Sequence, residues 1–387
     1  MDTQKLKRDT LKMILGPLLR WSPLDKPRGG FSIVLGVPWA LRHLLPVNLQ
    51  FVERTDLRQL HRVYIVFDRI AQDGGEAFIA QISKNFPKLP LAFSFHPPIS
   101  GRIVQLINQS KFYASMNWTL GLAQCETRYA VLHDFDLYPL VPQYFLCMME
   151  AMRDRALRFT GVEYTQFDGL ETSHALIGTW ALGIDVAWLR QNYRPIECFH
   201  AVERIGGRRF DLDAFTFIQS TTPQRALVDT VTGKDMAHVR NLVSTYLRFS
   251  KGQRFDLVWR LHQMWYLEAL QGRDDRLGQL VRIMDEATSS RLRIDESVAD
   301  FAATHVTCAN VLRDQVLPME RFLFGRLRPE VLVYVDAFER FLWRHGKSDP
   351  ILDKDGSVRW SPEGARNRVI LFQQLAPSAA QRNLGDR

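Results

Sequence analysis

Runs of continuous apolar residues punctuate the first third of the chain: FSIVLGV (31–37), VYIVF (63–67), LAFSF (91–95) and YAVLH (129–133). Each has strand length, and each is followed by a longer mixed segment with room for a helix. A strand apolar at every position is covered on both faces, which is the habit of parallel sheets with crossover helices. The pattern therefore predicts an α/β domain built on a mostly parallel sheet. Further strands are expected at 158–163 (RFTGVE), 176–184 (LIGTWALGI) and 225–231 (RALVDTV).

The pattern changes at both ends. Residues 1–30 form a basic extension in which Leu11, Ile14, Leu15 and Leu18 fall at helical spacing among Lys5, Lys7, Arg8 and Lys12. Gly16-Pro17 limits that helix to about the first fifteen residues, because proline removes a donor and clashes with the preceding turn. Such a helix either packs on the domain or lies on anionic lipid as a peripheral membrane contact. After residue 250, Phe255–Leu270, Leu277–Met284, Phe301–Leu312 and Val331–Trp343 carry apolar residues three to four apart, predicting a helical region over 251–346. The segment 347–387 reads as a looser tail.

Composition narrows the classes. The chain has 387 residues, 46% hydrophobic and 24% charged, which is enough for two or three domains and too apolar for a disordered chain. No apolar stretch approaches the roughly 20 residues that span a bilayer. The opening residues lack the apolar core and small-residue cleavage site of a secretory signal, so the expected place is the cytoplasm or the inner face of the membrane. Cys125, Cys147, Cys198 and Cys308 stand apart with no C-x-x-C spacing, which argues for buried reduced thiols rather than zinc or disulfides. The net charge of +8 favours anionic partners, yet the basic residues are scattered and form no nucleic-acid arm. Nucleic acid is accordingly not expected as a partner, and the absence of a P-loop or G-x-S-x-G argues against nucleotide hydrolysis and serine-ester chemistry.

The candidate chemistry sits in Tyr129-Ala-Val-Leu-His-Asp134-Phe-Asp136-Leu-Tyr-Pro139, where an apolar strand ends in two aspartates. In an extended chain residues i and i+2 point the same way, so both carboxylates project together. That edge, beyond the carboxyl ends of the strands, is where open α/β sheets bind ligands. Paired carboxylates there suit a hard divalent cation such as Mg2+. The motif alone is common: with 27 aspartates about two D-x-D triplets arise by chance, and this chain has three, at 134/136, 211/213 and 353/355. Only the first follows a buried strand; the last lies in a turn sequence.

The order of these features resembles the nucleotide-sugar glycosyltransferases of GT-A fold, particularly family-two-like members. FSIVLGVPW is similar to their first strand and base-binding loop, which implies nucleotide contacts at Val37 and Pro38. YIVFDRI places Asp68 where the family contacts base or ribose, and Lys111–Ala123 resembles the helix before the metal strand, with Asn117 as a donor contact. YAVLHDFDLYP resembles the metal strand itself, implying Asp136 as a direct ligand and Asp134 as a ligand either directly or through water and ribose. The resemblance spans about residues 31–250 and further implies that His238 is a third ligand and that Arg240 meets the diphosphate. An imidazole ligand tilts the preference from Mg2+ towards Mn2+.

Ile205–Phe215 resembles the family's acceptor-side loop, where one carboxylate is the general base of inverting members: Asp213, with Asp211 as the alternative. Arg208 and Arg209 could add positive charge for the phosphates. The resemblance thus implies metal-dependent transfer of a sugar from a nucleotide-diphosphate donor to a hydroxyl of a glycan, lipid-linked or other acceptor, in surface-glycan synthesis. Several residues have plainer alternatives. Asp68 could cap the following helix, Asn117 could lie on a helix surface, Asp211 and Asp213 could cap a helix over 213–219, and His238 could be structural. His133 is expected to pack at the strand end and Trp180 to occupy the core. A non-catalytic protein on the same fold, binding sugar nucleotide or glycan, is the rival function.

Overall fold

The computed structural model describes residues 3–71, 74–165, 176–205, 207–229, 235–240, 242–243, 246, 258–272, 275–288 and 311–345. The chain divides into two compact units, 1–236 and 237–387.

The first unit is organised by a seven-stranded sheet. The strands β1 (Arg28–Val37), β2 (Leu60–Ile70), β3 (Leu91–His96) and β4 (Thr127–His133) are the four apolar runs, lengthened at their ends by polar residues. Between β4 and the next sheet strand lie the short β5 (Leu137–Pro139), then β6 (Phe159–Gly161), β7 (Tyr164–Thr165), β8 (Leu176–Ile177) and β9 (Ala181–Asp185). The strands β10 (Ala201–Ile205) and β11 (Arg208–Leu212) form a hairpin, followed by β12 (Arg225–Leu227) and β13 (Met236–His238). Spatial order in the main sheet is β12-β6-β9-β4-β1-β2-β3. β1 runs parallel to β2 and β4, β2 to β3, and β12 to β6, while β9 is antiparallel to both its neighbours. The mostly parallel sheet is as the apolar runs predict.

The single strand expected at 176–184 is instead two, because the chain turns at Gly178–Trp180 between β8 and β9. Gly178 permits that turn: a Cβ there would lie 2.5 Å from Trp180 Nε1.

Helices cover both faces. The first three helices are α1 (Thr3–Leu15), α2 (Leu45–Glu53) and α3 (Gly75–Asn85), and α4 (Pro98–Ile107) and α5 (Ser110–Gln124) precede β4. After it come α6 (Tyr144–Asp154), α7 (Val186–Asn192) and the short α8 (Thr216–Ser220). On one face Val34, Ala130 and Leu132 pack with Trp118 and Leu122 of α5 and Leu189 of α7. The helix α5 lies tight on the sheet because Gly121 has no side chain; a Cβ would meet Val34 Cγ1 at 2.3 Å. On the other face Phe145 of α6 stacks on Phe31 and meets His133 edge-on. His133 is buried at the strand end, as expected.

The N-terminal helix α1 ends at Leu15, and Gly16–Leu18 continue as a single tight turn, as the Gly-Pro pair predicts. Leu15 and Leu19 join a cluster with Ile103, Val104, Phe112, Met116 and Phe199, so this segment packs on the domain.

The second unit is helical: α9 (Val258–Ala269), α10 (Asp275–Thr288), α11 (Leu317–Phe324) and α12 (Pro329–His345). Among its buried carboxylates, Glu320 accepts hydrogen bonds from Tyr266 Oη at 3.0 Å and Arg328 Nη2 at 2.8 Å. The start of the expected helix at Phe301, and the tail from Lys347, lie outside the described residues.

Candidate metal centre

The chain winds outward from β1 to β2 and β3, then returns to place β4 on the other side of β1. The order reverses between β1 and β4, and a crevice forms at the carboxyl ends of strands at such a point. Asp134 is the first residue beyond β4 there.

Asp134 and Asp136 do not continue the strand. The Leu137 N–H donates to the Asp134 carbonyl at 3.2 Å, closing a turn over 134–137. The two carboxylates are therefore brought together by a turn and not by strand alternation, which corrects the i, i+2 expectation. The chain turns because it leaves β4 for β5, whose partner is β13. His238 is the last residue of β13, a strand that begins with Met236 of the first unit. One ligand atom each from Asp134, Asp136 and His238 lies within 4.8 Å of the others. Asp136 is buried, and Asp134 and His238 are half-buried.

The turn is held from outside by groups that the sequence pattern did not single out. Asn48, fully buried on α2, donates from Nδ2 to the carbonyls of Phe135 and Leu137, each at 3.0 Å. Its place among the apolar residues of Leu45–Glu53 was the available signal, since a buried amide must find partners. Phe51 of the same helix packs edge-on against Tyr138, with ring centroids 5.1 Å apart. Burial, and then the neighbouring Asp136 charge, push the Tyr138 phenol well above its usual range. Trp180 also supports the turn, its carbonyl accepting from Asp134 N–H at 3.0 Å. Trp180 is half-buried beside the acidic turn and so is not the core residue expected.

The nucleotide-side candidates line the neighbouring strand ends. Asp68 is not the cap of the helix after its strand, because α3 begins behind Gly74. Its Oδ1 instead accepts from Trp39 N–H at 2.7 Å and so fastens the loop after β1. Burial raises the Asp68 carboxyl, with the Trp39 N–H opposing. Trp39 packs against Phe67 and Phe95 while the Arg42 guanidinium lies over its ring at 4.5 Å. The Val37 side chain is fully buried and Pro38 is half-buried.

Asn117 is buried, not on a helix surface. It lies 2.6 Å from His96 Nε2 through Oδ1, and a Cβ at Gly36 would meet Asn117 Cβ at 3.0 Å. His96, at the end of β3, was not among the residues picked from sequence. Burial lowers its pKa to about 4, with Asn117 opposing. Its neutral ring stacks near Tyr113, with centroids 6.4 Å apart.

Asp213 is half-buried and its Oδ1 accepts from Ala214 N–H at 2.9 Å. The expected helix over 213–219 begins only at Thr216, because Phe215 takes a left-handed φ of 62° and interrupts it. Asp211 lies on β11 opposite Val202. Arg208 and Arg240 are exposed, and Arg240 lies two residues beyond the end of β13. Asp213 does not belong to the three-residue group found among the described residues, and the Asp211 side chain lies outside what is described.

No protein-family model matches the chain, and no curated protein matches it. Among solved structures it is similar to the mannosyltransferase PcManGT from Pyrobaculum calidifontis in complex with GDP-Man and Mn2+. That likeness has 12% identity and a TM-score of 0.38, covering 86% of this chain and 94% of that one. It is also similar to S. aureus TarS 1-349 in complex with UDP-GlcNAc, at 12% identity and a TM-score of 0.34, covering 82% and 83%. A third similar structure is the glycosyltransferase GlyE of Streptococcus pneumoniae TIGR4, at 10% identity and a TM-score of 0.28, covering 43% and 37%.

Proposed function

We propose that the chain is a metal-dependent glycosyltransferase that moves a sugar from a nucleoside-diphosphate donor to a hydroxyl acceptor. The observation that carries this is the convergence of Asp134, Asp136 and His238 at the edge where the strand order reverses. Two carboxylates and one imidazole suit Mn2+, with Mg2+ the harder alternative. When bound, such a cation neutralises charge growing on the departing diphosphate.

The protein's own groups divide the remaining tasks. Asp134, Asp136 and His238 hold the ion. Arg240 and the exposed Arg208 supply guanidinium charge for phosphate oxygens, with Arg209 of the same strand as a further candidate. Val37, Pro38 and Asp68 frame the nucleoside, with Asp68 acting through the loop it fastens at Trp39. Asn117, hydrogen-bonded to His96, is assigned the donor-sugar contact. The anomeric carbon–oxygen bond to phosphate breaks with its electron pair going to the diphosphate. The acceptor oxygen bonds that carbon, and its proton passes to Asp213, or to Asp211 in the alternative assignment. This order inverts the anomeric centre. A hydroxyl of a glycan or lipid-linked carrier is the acceptor class that surface-glycan synthesis supplies.

Thermal-shift titration with nucleoside diphosphates and their sugars, with and without Mn2+, tests this function. Stabilisation by one nucleotide series that requires the metal is expected. Failure of every nucleotide to stabilise the protein in the presence of Mn2+ rejects the function. Binding without donor hydrolysis or transfer would mark the non-catalytic rival.

A further inference from the structure

Eight large apolar side chains are exposed among the described residues; four of them lie on one pair of packed helices and a fifth on the turn that follows the first helix. Met13 is 79% exposed, Ile14 52% and Leu18 46%, along the end of α1 and the turn that follows it. Ile99 and Leu106, 68% and 57% exposed, lie on α4. Both helices already bury another face: Leu15 and Leu19 from one segment, Ile103 and Val104 from the other, meet in a single cluster. The apolar residues left outside are thus surplus to the core. Sequence offered α1 either a packed or a lipid-facing role; its two apolar faces allow both.

Charge identifies what covers the outer faces. Residues 1–20 carry Lys5, Lys7, Arg8, Lys12 and Arg20 against Asp2 and Asp9. On α4, which has no acidic residue, Arg102 stands at helical spacing between Ile99 and Leu106 and is exposed. A recess of about 1170 Å³ beside α1 is lined by Met13 and by the exposed Arg20 and Arg194, against Asp9 and Glu197, while its Lys12 and Arg190 are held inward by the backbone carbonyls of His200 and of Ser22 and Cys125. Apolar side chains set among cations are the signature of a helix seated at the headgroup boundary of anionic lipid. The five side chains fall well short of the roughly 20 residues a side that a standard protein interface employs.

We infer that the outward faces of α1, its following turn and α4 dock on an anionic lipid bilayer. The apolar side chains enter the headgroup boundary while the surrounding cations meet lipid phosphates. This surface is independent of the proposed transfer chemistry.

Co-sedimentation of the full chain with vesicles tests the inference. Phosphatidylcholine mixed with phosphatidylglycerol is compared with phosphatidylcholine alone. Binding to the anionic vesicles is expected to exceed binding to the neutral ones and to weaken as salt rises. The pair Ile14→Ser/Leu18→Ser, and separately Ile99→Ser/Leu106→Ser, should each weaken partitioning by at least about tenfold, the factor one buried aliphatic side chain is worth. Since all four residues are exposed, the melting temperature should stay unchanged. Absence of binding, equal binding to both vesicle types, or binding indifferent to both pairs overturns the inference. Self-association in light scattering that these substitutions abolish overturns it too, by making a second copy the occupant.

Discussion

Asn48 donates its side-chain amide to the carbonyl of Phe135, the residue between the two candidate metal-binding aspartates, and also to Leu137 immediately beyond them. A residue on α2, which follows the loop after β1, thereby fixes the turn after β4. One buried amide thus ties α2 to the acidic turn.

Removing that amide should cost both stability and metal affinity. Asn48→Ala leaves two inward-facing carbonyls without this donor, a loss of about 1–3 kcal/mol in denaturant unfolding. Mn2+ affinity, read by titration of the nucleotide-free protein, should fall in the same variant. Normal Mn2+ affinity in folded Asn48→Ala would show that the turn holds its shape unaided.

Asp136→Ala should abolish metal-dependent nucleotide stabilisation while leaving the apoprotein's melting temperature within a few degrees of the wild type. Isothermal titration with Mn2+ and nucleoside diphosphate reads the first effect and calorimetry the second. A variant that still turns over at the wild-type rate removes the mechanism.

Asp213→Asn separates chemistry from binding. The amide oxygen can still accept from Ala214 N–H, so the turn before α8 survives. A kcat reduced by at least about a hundredfold with unchanged donor affinity is expected for a lost general base. Loss of donor affinity instead would assign Asp213 to the nucleotide side.

His96 gives the fold a pH dependence of definite sign. Its folded pKa, about 4, lies below the ordinary 6.5, so the unfolded chain binds more protons between those values. Stability from the neutral ring is complete above about pH 6.5 and declines as pH falls towards 4, by up to about 3 kcal/mol. His96→Gln, which cannot titrate, should flatten that part of the stability–pH curve in urea unfolding. An unaltered slope would exclude His96 as its source.

Asp185 provides a structural control at the opposite end of β4. Its buried carboxylate accepts from Arg158 Nη1 at 2.5 Å, Arg128 Nη2 at 3.1 Å and Trp188 N–H at 3.1 Å, the last capping α7. Asp185→Ala should destabilise by about 3 kcal/mol, because it strips a buried partner from partly buried guanidinium groups. Mn2+ affinity of the folded protein should stay unchanged. A matching fall in affinity would mean that the acidic turn responds to general loosening of the sheet.

The amino-acid pattern prescribes the parallel strands and the address of the chemistry. Continuous apolar runs are forced on strands covered from both sides, so the four parallel strands are legible in the apolar pattern. The Asp134/Asp136 pair is legible because it directly follows such a run, at the strand edge where open α/β sheets bind ligands. How those charges meet depends on contacts between distant segments. The turn at Phe135, the brace from Asn48 and the approach of His238 join residues far apart in the chain, and a buried amide's partners leave no local pattern. The same holds for Asp68 and Asn117, whose bonds to Trp39 and His96 depend on which strand ends the crossovers bring side by side.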